Sequence, residues 1–195
     1  ASLIESVLKK ADEEAVINVH PIGAVTKESQ GKELAEIGAM KEAGIVAISD
    51  DGNPVMNSEM MRLALKYASD FNLPVISHCE DENLAGNGVV NEGYYSTVTG
   101  LDPIPASAEE VMVARDICLA RETNSPVHIA HISTKGAVEL VRQAKAQGIK
   151  VTCEVTPHHF ALTDETITSF DTATKVNPPL RSKEDVEAIK SGLKD

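Results

Sequence analysis

Gly44-Ile-Val-Ala-Ile-Ser-Asp-Asp51 is a short apolar run, rich in β-branched residues, that closes on carboxylates where helical sequence begins. The same design recurs at Pro74-Val-Ile-Ser-His78 and at Pro126-Val-His-Ile-Ala-His131. Each run has the length of a buried parallel strand. In a barrel of parallel strands the carboxyl ends of different strands converge on one mouth, so Asp51, His78 and His131 can meet there although distant in sequence. Carboxylate and imidazole are ligand types that zinc takes. The pattern predicts a metal site at the mouth of an α/β barrel.

Outward from these runs, strand-like and helix-like segments alternate without a linker or low-complexity tract, which predicts one domain over residues 1–195 built of stacked βα units. Leu3, Ile4, Val7, Leu8 and Ala11 have helical spacing, and Ala15–Val19 reads as a first strand. Leu34, Ile37 and Met40 continue the helical signal up to Gly44, a C-cap. Asn57 is placed to cap a helix carrying Met60, Met61, Leu63, Ala64 and Tyr67. Ser107 and Glu110 have capping-box spacing for a helix running to about Glu122. Ser133 and Thr134 precede another helix, with Val138, Leu140 and Val141, stopped by Gly148. Lys150–Val155 is the next strand, Lys175–Arg181 is extended, and Ser182 with Asp185 opens a last helix. This amounts to about five to six parallel βα units against the eight of a closed barrel, so the expectation is a partial TIM-type barrel. Cys79–Ala106 is the longest stretch without a clear period, as a βα loop that shapes a substrate mouth would be.

Composition narrows the function classes. Lys plus Arg number 18 against 30 Asp plus Glu, a formal charge of −12, which disfavours nucleic acid and anionic membrane as partners. No apolar run approaches the ~20 residues of a membrane span, and nothing resembles a signal peptide. A cytoplasmic protein is expected. Cys79, Cys118 and Cys153 are scattered, with no Cys-x-x-Cys pair, as reduced and mostly buried thiols would be.

Other polar residues have ordinary explanations. If strand alternation runs through Val127-His-Ile-Ala-His131, His128 points away from His131 and packs among the surrounding helices. Asp50 and Asp51 begin an Asp-Asp-Gly-Asn-Pro string typical of a turn, and only the recurrence at three strand ends lifts Asp51 above that reading. His158 and His159 occupy adjacent positions that cannot aim at one ion on regular structure, so a structural role is expected for both.

The strings Ser49-Asp-Asp-Gly52, Ser77-His-Cys-Glu-Asp81, Val90-Asn-Glu-Gly93, His128-Ile-Ala-His-Ile-Ser-Thr134, Thr152-Cys-Glu-Val-Thr-Pro-His-His159 and Val176-Asn-Pro-Pro-Leu-Arg181 resemble, in order and spacing, successive motifs of the bacterial class I dihydroorotases of the amidohydrolase superfamily. The resemblance implies a zinc-dependent cyclic amidohydrolase that interconverts N-carbamoyl-L-aspartate and L-dihydroorotate in pyrimidine biosynthesis. It makes Asp51, His78 and His131 metal ligands and Asn177 a substrate contact. It leaves open a homo-oligomer or an assembly with another pyrimidine-pathway enzyme. An aspartate at position 51, where related hydantoinases and allantoinases carry a carboxylated lysine, favours the dihydroorotase branch.

The departures are equally specific. No His-x-His precedes Asp51, His20 stands alone, and no Thr-Asp-His-Ala-Pro-like motif with the family's proton-shuttling Asp occurs. The chain resembles strands three to seven of the family barrel, with no catalytic acid/base of its own, and is expected to be an inactive piece of it. The alternatives are a noncatalytic barrel-like domain for assembly or partner binding, and an allantoinase- or hydantoinase-type enzyme.

Overall fold

The computed structural model describes residues 1–195. Its elements in chain order are α1 (Ser2–Glu14), β1 (Ile22–Gly23), α2 (Ile37–Glu42), β2 (Ala47–Ser49), α3 (Ser58–Ser69), β3 (Val75–Ser77), α4 (Glu82–Ala85) and β4 (Val90–Asn91). There follow α5 (Tyr94–Thr99), β5 (Pro103–Ile104), α6 (Ser107–Thr123), β6 (Val127–Ile129), α7 (Lys135–Ala146), β7 (Val151–Cys153), α8 (Pro157–Ala161) and α9 (Lys183–Gly192). Five strands form one sheet in the order β1-β2-β3-β6-β7, every neighbouring pair parallel. Parallel neighbours require crossovers, and α2, α3, α6 and α7 supply them. The result is a partial barrel of α/β type, as the alternating pattern predicts. No helix is long and apolar enough to cross a membrane.

The sheet has two unlike faces because side chains alternate along each strand. Ile48, Val75, Val127, Ile129 and Val151 point outward, where Met61 and Leu65 of α3, Val113 of α6 and Val138 and Val141 of α7 close over them in one core. On the other face Ile22, Ser49, Ile76, His128 and Ala130 line an open concavity of about 500 Å³ that Asp51 and Glu154 also border. β4 and β5 pair with each other in a small second sheet inside the long excursion between β3 and α6.

Four local expectations are corrected. Ala15–Val19 is not a strand; Val16 and Ile17 are 99% and 74% exposed, and the first strand is Ile22–Gly23. β-branched residues favour a strand only where they fit a pleated, half-buried surface. The chain first reaches one after His20, where the Pro21 carbonyl accepts from Val46 N. Ser107 and Glu110 form no capping box: α6 is entered through Pro105 and Ala106, whose carbonyls accept from Ala108, Glu109 and Glu110 N, with no side-chain cap. Cys118 is exposed rather than buried, whereas Cys79 lies in the core and Cys153 is half-buried.

The fourth correction concerns His128, which faces the concavity rather than the helices and exchanges a hydrogen bond with Thr152 Oγ1 at 2.8 Å. The alternation that sent it outward assumes extended backbone as far as His131. β6 ends at Ile129, and His131 has φ +34°, so strand parity stops short of it. Elsewhere the capping chemistry is as read: Asn57 Oδ1 accepts from Glu59 N and Met60 N, and Ser182 and Asp185 form a reciprocal box at the start of α9.

Candidate metal centre

β2, β3 and β6 are consecutive in the sheet, and each releases its chain at the same rim. At the end of β2 the two aspartates diverge. Asp50 turns inward, 4% exposed, and accepts from Val25 N at 2.8 Å and from Thr26 N at 3.1 Å and Thr26 Oγ1, tying the segment after β1 to the β2 terminus. Asp51 is thereby left facing the mouth, its side chain 48% exposed. After β3, alternation sends Ser77 and Cys79 into the core, where both approach Asp116, and sends His78 to the opposite side. Cys79 is therefore no partner of His78, and burial first, then the Asp116 carboxylate, raise its thiol pKa well above the ordinary value. After β6 the left-handed turn at His131 swings its ring back over the rim, while its backbone N–H donates to Glu154 Oε1 at 3.2 Å.

These placements bring Asp51, His78 and His131 together. His78 Nδ1 lies 3.0 Å from His131 Nε2 and 3.2 Å from Asp51 Oδ1, and His131 Nε2 lies 3.0 Å from the same oxygen. Three ligands held tetrahedrally at 2.0–2.2 Å from one zinc ion stand about 3.3 Å apart, so the triangle has the size that such an ion needs. Its chemistry also fits. The second nitrogen of His78, Nε2, faces Glu80 Oε2 at 2.9 Å, a carboxylate acceptor for a proton on Nε2 that would leave Nδ1 with its lone pair. Two imidazole nitrogens and a carboxylate oxygen then converge on one point with too few protons to satisfy one another, and a cation at that point satisfies all three. The carboxylates of Glu80 and Glu154 bordering the mouth add to the attraction.

Glu80 stands in the Ser77-His-Cys-Glu-Asp81 string, and its role emerges only in the fold. It accepts from His78 on one side and from Asn177 Nδ2, at 2.7 Å, on the other. The hydrogen bond from His78, helped by that from Asn177, outweighs burial and holds its carboxyl below the usual range. Asn177 is thus placed beside the triangle, one side chain removed from His78. Glu154 and Glu109 were also missed. Glu154 was readable as a fourth strand end closing on a ligand-type residue. Glu109 was not, because its partners are the backbone N–H groups and hydroxyls of Ser133 and Thr134, two and three residues beyond His131.

His158 and His159 stay away from the triangle and do structural work. Thr156 Oγ1 lies 2.7 Å from His159 Nδ1, and His159 Nε2 donates to the Pro178 carbonyl at 2.8 Å, so α8 grips the segment that carries Asn177. Burial pushes His159 from 6.5 down to about 4. An unfolded chain binds this proton near pH 6.5 and the folded one only near 4, so its contribution is complete above 6.5 and is lost as pH falls toward 4. The loss is expected to be on the order of 3 kcal/mol. Urea titrations at pH 7 and 4.5 check this: the fall in stability between them should shrink in His159→Gln, and an equal fall in both proteins would refute the assignment.

The sequence model of the family described as Dihydro-orotase-like matches residues 2–137. A dihydroorotase of Pelotomaculum thermopropionicum is 62% identical over 190 residues, covering 97% of this chain and 44% of the relative. A dihydroorotase of Acetivibrio thermocellus is 57% identical over 194 residues, covering 100% of this chain and 46% of the relative. The chain thus spans less than half the length of these relatives. Among solved structures, a D-hydantoinase superposes with a TM-score of 0.74 at 20% identity, over 98% of this chain and 44% of that one. An L-hydantoinase of Arthrobacter aurescens gives 0.75 at 20% identity, over 95% and 43%. At that identity the likeness speaks for the barrel fold alone.

Proposed function

We propose, for a chain that belongs to the dihydro-orotase-like family, that residues 1–195 carry the strand-end metal site of a zinc-dependent cyclic amidohydrolase acting on dihydroorotate. The observation that carries this reading is the triangle of Asp51, His78 and His131, with edges of 3.0–3.2 Å, at the rim of three consecutive parallel strands. Identity to dihydroorotases of 57–62% supports dihydroorotate over allantoin or hydantoin as the ring.

A zinc ion bound there supplies Lewis acidity, lowering the pKa of water to about 7 and polarising a carbonyl. The chain's own contribution is to hold and orient. Asp51, His78 and His131 present the donor atoms, Glu80 keeps the His78 proton on Nε2, and Glu154 fixes the backbone of His131. Asn177 is the substrate contact. Ring opening breaks the amide C–N bond, places a hydroxyl on the carbonyl carbon and puts a proton on the departing nitrogen; the reverse closes carbamoyl aspartate. In this reading no residue of this chain delivers that proton, and the protein works in pyrimidine synthesis in the cytoplasm, with a small-molecule substrate and room for a homo-oligomer or an assembly with another enzyme of that synthesis.

The cobalt-substituted chain tests the reading. Its visible spectrum should shift on addition of dihydroorotate or carbamoyl aspartate and stay unchanged with allantoin or hydantoin. A response to hydantoin alone would move the chain to the other branch, and no response to any ring would favour a noncatalytic barrel-like domain. Hydrolysis of dihydroorotate by the zinc-loaded chain should not exceed that of Asp51→Ala. Turnover on the order of 1 per second or more would show that a residue present here delivers the proton.

A further inference from the structure

Glu80 takes two hydrogen bonds on the same oxygen, Oε2: one from His78 Nε2 at 2.9 Å and one from Asn177 Nδ2 at 2.7 Å. Its side chain is 19% exposed and that of His78 only 3%, so the bond between them is largely shielded from water. Asn177 arrives from a segment nearly a hundred residues away, held by the His159 bond to Pro178 and by the burial of Leu180 and Arg181. The Asn177 carboxamide oxygen takes no hydrogen bond within the chain. One carboxylate therefore links His78, just beyond β3, to a loop anchored elsewhere.

We propose that Glu80 is the positioning residue of the metal centre and that Asn177 is its keeper: Glu80 holds His78 in the tautomer and ring orientation that aim Nδ1 at the ion, and Asn177 holds Glu80. The physical reason is that a neutral imidazole can carry its proton on either nitrogen, and only the Nε2-protonated form presents a lone pair toward Asp51 and His131. A carboxylate fixed beside Nε2 selects that form before any metal arrives. Asn177 selects the rotamer of Glu80, since its amide donates to the oxygen that His78 uses. Through this chain of two hydrogen bonds, a substrate held by the free Asn177 oxygen is coupled to the geometry of a ligand. The inference rests on the metal-site reading for its consequence, but the tautomer it predicts exists without metal.

Two measurements test it. Long-range proton–nitrogen NMR spectra of the metal-free chain should show His78 protonated on Nε2. Glu80→Leu should give a mixture of tautomers and weaken zinc binding, read by competition with a chromophoric chelator, by about 10- to 100-fold. Glu80→Gln, whose amide oxygen can still accept from Nε2–H, should keep the tautomer and recover most of the affinity. Asn177→Leu should broaden the tautomer signal and weaken zinc binding by about three- to tenfold. If Glu80→Leu and Glu80→Gln both leave tautomer and affinity as they were, Glu80 positions nothing. If only Asn177→Leu is without effect, the keeper role is overturned and the Glu80 role stands. Should Glu80→Leu not fold, the Gln variant and Asn177→Leu, which alters an exposed residue, decide through the tautomer. If the unaltered chain binds no zinc, the metal-site reading fails by itself, and the metal-free spectra still judge Glu80.

Discussion

Arg181→Ala is expected to cost roughly 3–5 kcal/mol, because it uncovers a buried charged network rather than a surface contact. Arg181 is 2% exposed and donates through Nε to Ser133 Oγ at 3.0 Å and through Nη1 to Asn91 Oδ1 at 2.9 Å and the Ile104 carbonyl at 3.0 Å. Asn91 in turn donates to the buried carboxylate of Asp164 at 2.8 Å, and Ser133 donates to that of Glu109. Truncation leaves these acceptors dry and unpaired. Burial draws the Arg181 pKa below the usual guanidinium value, while Glu109 and Asp185, in that order, oppose the shift. Arg181→Lys should recover little, since an ammonium cannot reproduce the fork that reaches both Ser133 and Asn91. For a chain of this size the loss corresponds to a fall in Tm of roughly 10 °C. Thermal melts check it, and a loss below about 1 kcal/mol would mean that water replaces the guanidinium freely.

The second large effect belongs to the three residues proposed as ligands. Removing any one of Asp51, His78 or His131 as alanine should lower zinc affinity by roughly a thousandfold, a proportionate share of the binding free energy typical of zinc sites. His128→Ala is the control: it faces the same concavity, but its ring nitrogen pairs with Thr152 and lies outside the triangle. Its zinc affinity should match that of the unaltered chain. Asp51→Asn separates charge from shape, keeping an oxygen at the position that both histidines approach and giving an intermediate loss. Equal affinities for His128→Ala and His131→Ala, read by chelator competition, would contradict the assignment.

What could be read from residues alone follows from where the information lies. The strands that carry Asp51, His78 and His131 were legible because a buried parallel strand is a contiguous apolar run, and its last residue is marked by the change to polar sequence. Their meeting at one rim follows from topology, since β2, β3 and β6 are neighbours. Val16 and Ile17 were misread because a run of β-branched residues carries no sign of whether a partner surface lies beside it. His128 was misplaced because a positive φ at a histidine, as at His131, leaves no mark in the sequence as it would at glycine. The roles of Glu80 and Glu109 leave no mark in the sequence for a third reason. Each acts on a group from another turn or segment, and a carboxylate in a loop looks the same whether it meets solvent or a buried N–H.

The central claim is that Asp51, His78 and His131 hold one zinc ion. X-ray absorption at the zinc edge, on the 195-residue chain loaded with metal and freed of excess by gel filtration, tests it most directly. The account predicts one zinc per chain, with two imidazole nitrogens at about 2.0–2.1 Å and a carboxylate oxygen at about 2.0–2.2 Å. The signal should vanish in His78→Ala. A zinc content at background, or a sulfur scatterer at about 2.3 Å that would put Cys79 in place of a histidine, would contradict it.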